Sequence, residues 1–231
     1  MMPKKDEYKK LKLKLTSVKP LTKVQKSFFT NYKGGKSQVL MGSAGTGKTF
    51  LSLFKAFEEI KKNPEEIRQI IIVRSAVATR DIGHLPGTLE EKQAIYELPY
   101  KSICTELFND PSAYDRMAEA GILKFMLTSY VRGMTFDNSI IIVDEFQNLT
   151  AHEADSVITR LGKFSKVLFC GDIFQTDFTG QGEKNIGKFI SVIESMGEWF
   201  DINTFQVDDI VRGELVKAYI KAKDFTYRDG Y

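Results

Sequence analysis

The chain has 231 residues, 42% hydrophobic and 27% charged, with a net charge of +3, enough apolar material for one substantial core. No run of about eighteen apolar residues occurs, which excludes a membrane-spanning helix. The opening MMPKKDEYKK has no apolar signal core, so the cytoplasm is the expected compartment.

Charge is unevenly spread. Residues 1–36 hold eleven lysines against Asp6 and Glu7, a surplus of nine, which leaves the rest of the chain acidic by six. Residues 1–20 are expected as a basic N-terminal arm on a domain spanning residues 21–231. The arm fits a polyanionic partner, a solubilising tail or a lysine-guarded edge strand, because KKLKLKL alternates Lys and Leu with period two. Among the aromatic residues that follow, Phe28, Phe29 and Tyr32 are expected in the core, with base stacking as the alternative.

Lys33-Gly34-Gly35-Lys36 reads as a turn feeding a first strand, Gln38–Met41. Next comes Gly42-Ser43-Ala44-Gly45-Thr46-Gly47-Lys48-Thr49, which fits G-x-x-x-x-G-K-[ST] without a mismatch. Such a loop wraps an anion with main-chain amides, and glycine admits the positive φ values and close approach this requires. Helical spacing from Lys48 to Lys61 puts a helix N-terminus at the same place, where its dipole favours phosphate. Lys48 is expected on the β- and γ-phosphates and the Thr49 hydroxyl on Mg²⁺. Residues 42–49 and Phe50 form the expected nucleotide contact.

The helix stops near Asn63-Pro64. Gln69–Val73 (QIIIV) is a continuous apolar run, the mark of a strand covered on both faces. A helical pattern at Leu89–Asn109 leads to a strand at Leu123–Leu127. Ile140–Val143 is another buried strand, and it ends in Asp144-Glu145. Asp144 is expected to hold Mg²⁺ and Glu145 to orient or deprotonate the attacking water. A helix at His152–Leu161 precedes the strand Val167–Cys170, followed by Gly171-Asp172 and Gln175. Gln175, a neutral amide, suits sensing a γ-phosphate; Asp172 either backs the metal shell or caps a turn. Helices at Ile186–Met196 and Glu214–Lys223 flank a strand near Phe200–Val207. Apolar strands alternating with helices define an α/β fold with a mostly parallel sheet covered on both faces. Ligands of such sheets bind at the carboxyl ends of the strands, where every motif above falls.

Asp144-Glu145-Phe146-Gln147-Asn148 resembles the D-E-x-Q-N box of the PhoH-like ATPases, relatives of the superfamily 1 helicase core. Gly171-Asp172-x-x-Gln175, Arg74-Ser75-Ala76-Val77, Leu85-Pro86-Gly87, Arg132-Gly133-Met134-Thr135 and Asp209-Ile210-Val211-Arg212 resemble the family's further motifs, in the same order. Ser43 and Ser75 stand where the family often has proline, and Phe146 where alanine is usual; no chemically required group is lost. The resemblance implies a single RecA-like P-loop NTPase domain that binds and hydrolyses ATP with Mg²⁺. It also implies coupling to RNA or single-stranded DNA and assembly into a homo-oligomer, a hexameric ring. The compact length suggests a bacteriophage version acting in the host cytoplasm. Leu21-Thr22-Lys23-Val24-Gln25 is similar to the helicase glutamine motif, which implies that Gln25 reads adenine.

Phosphoryl transfer gains a factor of about 10³–10⁵ from a cation at the γ-phosphate. Arg212, Arg132 and Arg74 are the candidates, from the same chain or a neighbouring copy, with surface ion pairs as the alternative. A nucleotide-controlled assembly protein without nucleic acid activity is the second functional reading, and a small-molecule kinase the third. Cys104 and Cys170, without metal spacing, are expected as buried free thiols. His84 and His152 lack a second ligand at metal spacing, and Trp199 is expected in the core.

Overall fold

The computed structural model describes residues 3–5, 7–75, 89–172 and 181–228. Six strands, β1 (Ser37–Gly42), β2 (Gln69–Arg74), β3 (Leu123–Leu127), β4 (Ser139–Asp144), β5 (Lys166–Gly171) and β6 (Phe200–Phe205), form one sheet. Their order is β3-β2-β4-β5-β1-β6, and every pair is parallel. This is the expected RecA-like arrangement.

Apolar runs become central strands because both faces are covered. Side chains alternate across the sheet, so Leu40, Ile70, Ile72, Ile140, Ile142 and Leu168 enter one core cluster. Val39, Ile71, Val73, Ile141, Val143, Val167 and Phe169 enter the other. The first face carries helices α2 (Lys23–Lys33), α3 (Lys48–Lys62), α4 (Leu89–Phe108) and α5 (Ala113–Glu119); the second carries α6 (Ala151–Ile158) and α7 (Gln181–Ser195). Each buried Ile or Leu contributes about 1.5–3 kcal/mol, so the strands hold the sheet by packing as much as by their ladders. A last helix, α8 (Glu214–Arg228), follows β6. Helix α5 is absent from the sequence reading: with only Ala113, Tyr114 and Met117 buried, its seven residues are too few to show a period.

The N-terminal segment departs from one expectation. After a short turn of helix at Glu7–Lys10, KKLKLKL joins no sheet. Leu11, Leu13, Leu15 and Val18 pack on the first core cluster, and Lys12 and Lys14 point outward. The Thr16 N–H donates to Leu107 O at 2.8 Å, tying the segment to the end of α4. The alternation thus reports an extended strap on the body, not an edge strand. Phe28 and Tyr32 are buried as expected, and Cys104 and Cys170 are buried free thiols. Trp199 is not in the core: it is 68% exposed at the turn into β6, while the adjacent Phe200 takes the buried position. Among the described residues no helix is long and apolar enough to cross a membrane.

Gly42 has a structural reason that precedes any ligand. It ends β1 with φ at 128° opposite Phe205, and a Cβ there would lie 1.8 Å from the Phe205 carbonyl oxygen. Gly42→Ala is therefore expected to lower stability by about 2 kcal/mol or more in urea unfolding, through clash and backbone strain. A midpoint within error of the parent would contradict this packing.

Candidate nucleotide site

The strand order gathers the carboxyl ends of β1, β5 and β4 side by side, and the loop 42–47 runs from β1 into α3. Gly47 caps α3 in the left-handed region at φ 85°, where a side chain costs energy. The Thr46 hydroxyl closes the loop on Ser43 O at 2.9 Å. Lys48 Nζ donates to Gly42 O at 2.7 Å and to Ser43 O at 2.8 Å. Burial lowers its pKa, against the opposing pull of Asp172, Cys170, Glu145 and Asp144.

Across the cleft, Asp144 is buried at the end of β4 with both carboxylate oxygens occupied. Thr49 donates to Oδ1 at 2.6 Å and Tyr100 to Oδ2 at 2.8 Å. Burial and the neighbouring Glu145 push its pKa up, and the two hydroxyls pull it back. Glu145 has φ 52°, an uncommon conformation for a non-glycine residue that is held by its surroundings. Gln147 Nε2 donates to Glu145 Oε2 at 2.6 Å, while Gln147 Oε1 accepts the Asp172 N–H at 3.0 Å. Buried Gln147 thus joins the acidic strand end to the end of β5. The sequence reading gave it no role, although its place in the D-E-x-Q-N box was the available signal.

Gln25 is buried beneath the loop. Its Nε2 donates to Thr46 O at 3.1 Å, and its Oε1 accepts the Leu21 N–H at 2.7 Å. Ile210–Arg212 lies against the loop from the other side: Val211 N–H donates to Gly45 O at 3.1 Å. Arg212 is exposed and lines the cleft, as does Arg74, whose guanidinium sits 5.6 Å from the Tyr96 ring centroid. The cleft, about 780 Å³, thus brings together Gln25, Ala44, Gly45, Gly47, Lys48, Thr49, Phe50, Asp144, Glu145 and Arg212. Arg132 is not among its lining residues; it is exposed in the turn after β3, at the far edge of the sheet. Gln175 and His84 lie outside the described residues.

The donor set suits a hard cation. It consists of the Thr49 hydroxyl and the Asp144 carboxylate oxygens. Mg²⁺ matches this, since it is held by one or two carboxylates together with substrate phosphates. A second cavity, about 460 Å³, opens beside the amino end of β5 between α2 and α3. Its Lys55, Lys62 and Lys166 are paired with Glu58 and Glu59, so it reads as an ion-pair network.

The model of the family described as PhoH-like protein matches residues 17–224. The PhoH-like protein of Bacillus subtilis is 34% identical over 213 residues, covering 90% of this chain and 64% of its own length. That of Mycobacterium leprae is 31% identical over 207 residues, covering 89% and 58%. The chain therefore spans about three fifths of the length of these bacterial relatives. Among solved structures, the Pif1 helicase of Candida albicans is similar at 16% identity and a TM-score of 0.35, over 82% of this chain and 40% of its own. The order and geometry of the loop, the acidic strand end and the segment after β6 agree with the sequence match: this chain belongs to the PhoH-like protein family.

Proposed function

We propose that the chain binds ATP with Mg²⁺ at the carboxyl end of its sheet, hydrolyses it, and couples that cycle to RNA or single-stranded DNA. The observation that carries the reading is the 2.6 Å bond from Thr49 to Asp144, which brings the helix of a complete phosphate loop to the acidic end of β4. Main-chain amides of residues 43–48 wrap the phosphates at the N-terminus of α3. Lys48 exchanges the Gly42 and Ser43 carbonyls for the β- and γ-phosphates. Thr49 and Asp144 would hold Mg²⁺, which neutralises phosphate charge when bound. Glu145, oriented by Gln147, takes a proton from the attacking water. Gln175 is proposed to sense the γ-phosphate.

Arg212 serves the nucleotide within its own chain, and Arg132 that of a neighbour in a homo-oligomeric ring, proposed as hexameric. Support for self-association comes from α8, next to Arg212, where Leu215 is 84% and Tyr219 67% exposed; large apolar surface of this kind marks interaction sites. The same helix favours the second reading, nucleotide-controlled assembly without nucleic acid. Gln25 is proposed to read adenine, a role that requires its amide to trade Thr46 O or Leu21 N–H for the base.

Purified protein is expected to hydrolyse ATP with Mg²⁺, faster with RNA or single-stranded DNA and with a steep loss of stimulation as salt rises. Glu145→Gln should lower turnover at least about 10²-fold while ATP still binds. Nucleotide-dependent solution mass without any stimulation would select the assembly reading; no uptake of ATP in excess Mg²⁺ would sink both. Arg212→Ala should reduce kcat by about 10³-fold with ATP affinity within a few-fold; equal turnover would remove Arg212 from the site. Gln25→Ala should weaken ATP about tenfold more than GTP, judged against the loss of base-specific hydrogen bonds. Equal weakening of the two nucleotides would leave Gln25 as a strut of the loop alone.

A further inference from the structure

Tyr100 lies 44 residues upstream of the acidic strand end, on helix α4, and belongs to none of the motifs. It follows Pro99 inside α4, is fully buried, and packs with its ring centroid 5.7 Å from that of Phe125. A phenol in an apolar core needs a partner for its hydroxyl, and here the partner is Asp144 Oδ2 at 2.8 Å. The Arg74 guanidinium lies against the same hydroxyl. An ionised carboxylate only accepts, so the phenol is the donor in the bond to Asp144.

Resting on the ATP–Mg²⁺ reading, we propose that Tyr100 is a positioning residue of the magnesium site. Its hydroxyl holds Asp144 Oδ2 so that Oδ1 stays on Thr49 and the carboxylate keeps one rotation. A carboxylate with a single donor can rotate away from the loop. One gripped at both oxygens, by a threonine in the first turn of α3 and by a buried phenol, cannot. The phenol is well suited to this because packing against Phe125 fixes its ring at the edge of the cleft. Its proposed action is through Asp144, to which its hydroxyl is bonded.

The test uses the full chain and binding of fluorescently labelled ADP, which involves no turnover. Tyr100→Phe removes only the hydroxyl. Without metal, with chelator present, its nucleotide affinity should stay within about twofold of the parent. The Mg²⁺ concentration that gives half of the metal-dependent gain in affinity should rise about tenfold or more, the effect expected for losing an outer partner of a metal ligand. An unchanged Mg²⁺ midpoint in folded Tyr100→Phe overturns the proposal. If thermal melting shows that this variant does not fold, Tyr100→Met, which fills the ring's space without a donor, decides by the same criterion. A parent protein that takes up no nucleotide with or without Mg²⁺ overturns the ATP reading itself, and this inference with it.

Discussion

The hydrogen bond between Thr49 and Asp144 is the constraint on which the site depends. Thr49 lies in the first turn of α3, which the loop joins to β1, while Asp144 ends β4, and β5 lies between β1 and β4. Their meeting requires three parallel strands in one register: Val39 opposite Phe169 and Val143 opposite Phe169 fix β1 and β4 on the same β5 residue. A slip of one residue would turn each strand's core face to the other side. Both faces here are apolar, so it is close side-chain fit, more than polarity, that holds the register. Packing of Val39, Val143 and Phe169 in one cluster is thus a condition for the chemistry above it.

Charge is arranged so that one carboxylate is buried and its neighbour is not. Asp144 sits in the sheet with two hydroxyl donors, while Glu145 turns out of the strand through its positive φ toward Gln147. Adjacent residues therefore experience different surroundings, which suits the proposed division between a metal-holding and a proton-accepting carboxylate. Lys48 supplies the opposing charge, and it is satisfied by its own loop carbonyls. In the proposed nucleotide complex, exchanging those two bonds for bonds to phosphate oxygens would keep the number of partners near constant and leave no buried donor unsatisfied.

Much of this was legible in the sequence. Continuous apolar runs announced central strands, and each began or ended within a residue or two of the observed bounds, because burial on both faces leaves no other explanation for Ile70–Val73 or Ile140–Val143. The phosphate loop was legible because glycine, lysine and threonine are each demanded by a contact. What could not be read were side chains that act through distance. Tyr100 looks like any aromatic in a helix with a weak pattern, and its value appears only when α4 is folded over β4. Gln147 was visible within its box but silent about its two partners. Trp199 was misplaced because size and apolarity favour burial on average, whereas a turn between α7 and β6 offered only one buried position and Phe200 took it.

Sheet topology also divides the arginines. β3 stands four strands from β1, about 19 Å at the ordinary spacing of strands. Arg132, in the turn after β3, is therefore remote from the loop that its own β1 feeds. Arg212 is close because β6 is the other neighbour of β1, and the chain leaving β6 is bonded to Gly45 through Val211. The close pairing of Gly42 with Phe205 extends that contact back into the sheet. One edge of the fold thus carries Arg212 against the phosphate loop, and the opposite edge carries Arg132, which is proposed to meet the nucleotide of a neighbouring copy. In the proposed ring such head-to-tail contacts would present unlike edges to each other, so a single lobe could supply a nucleotide with cations from two sides.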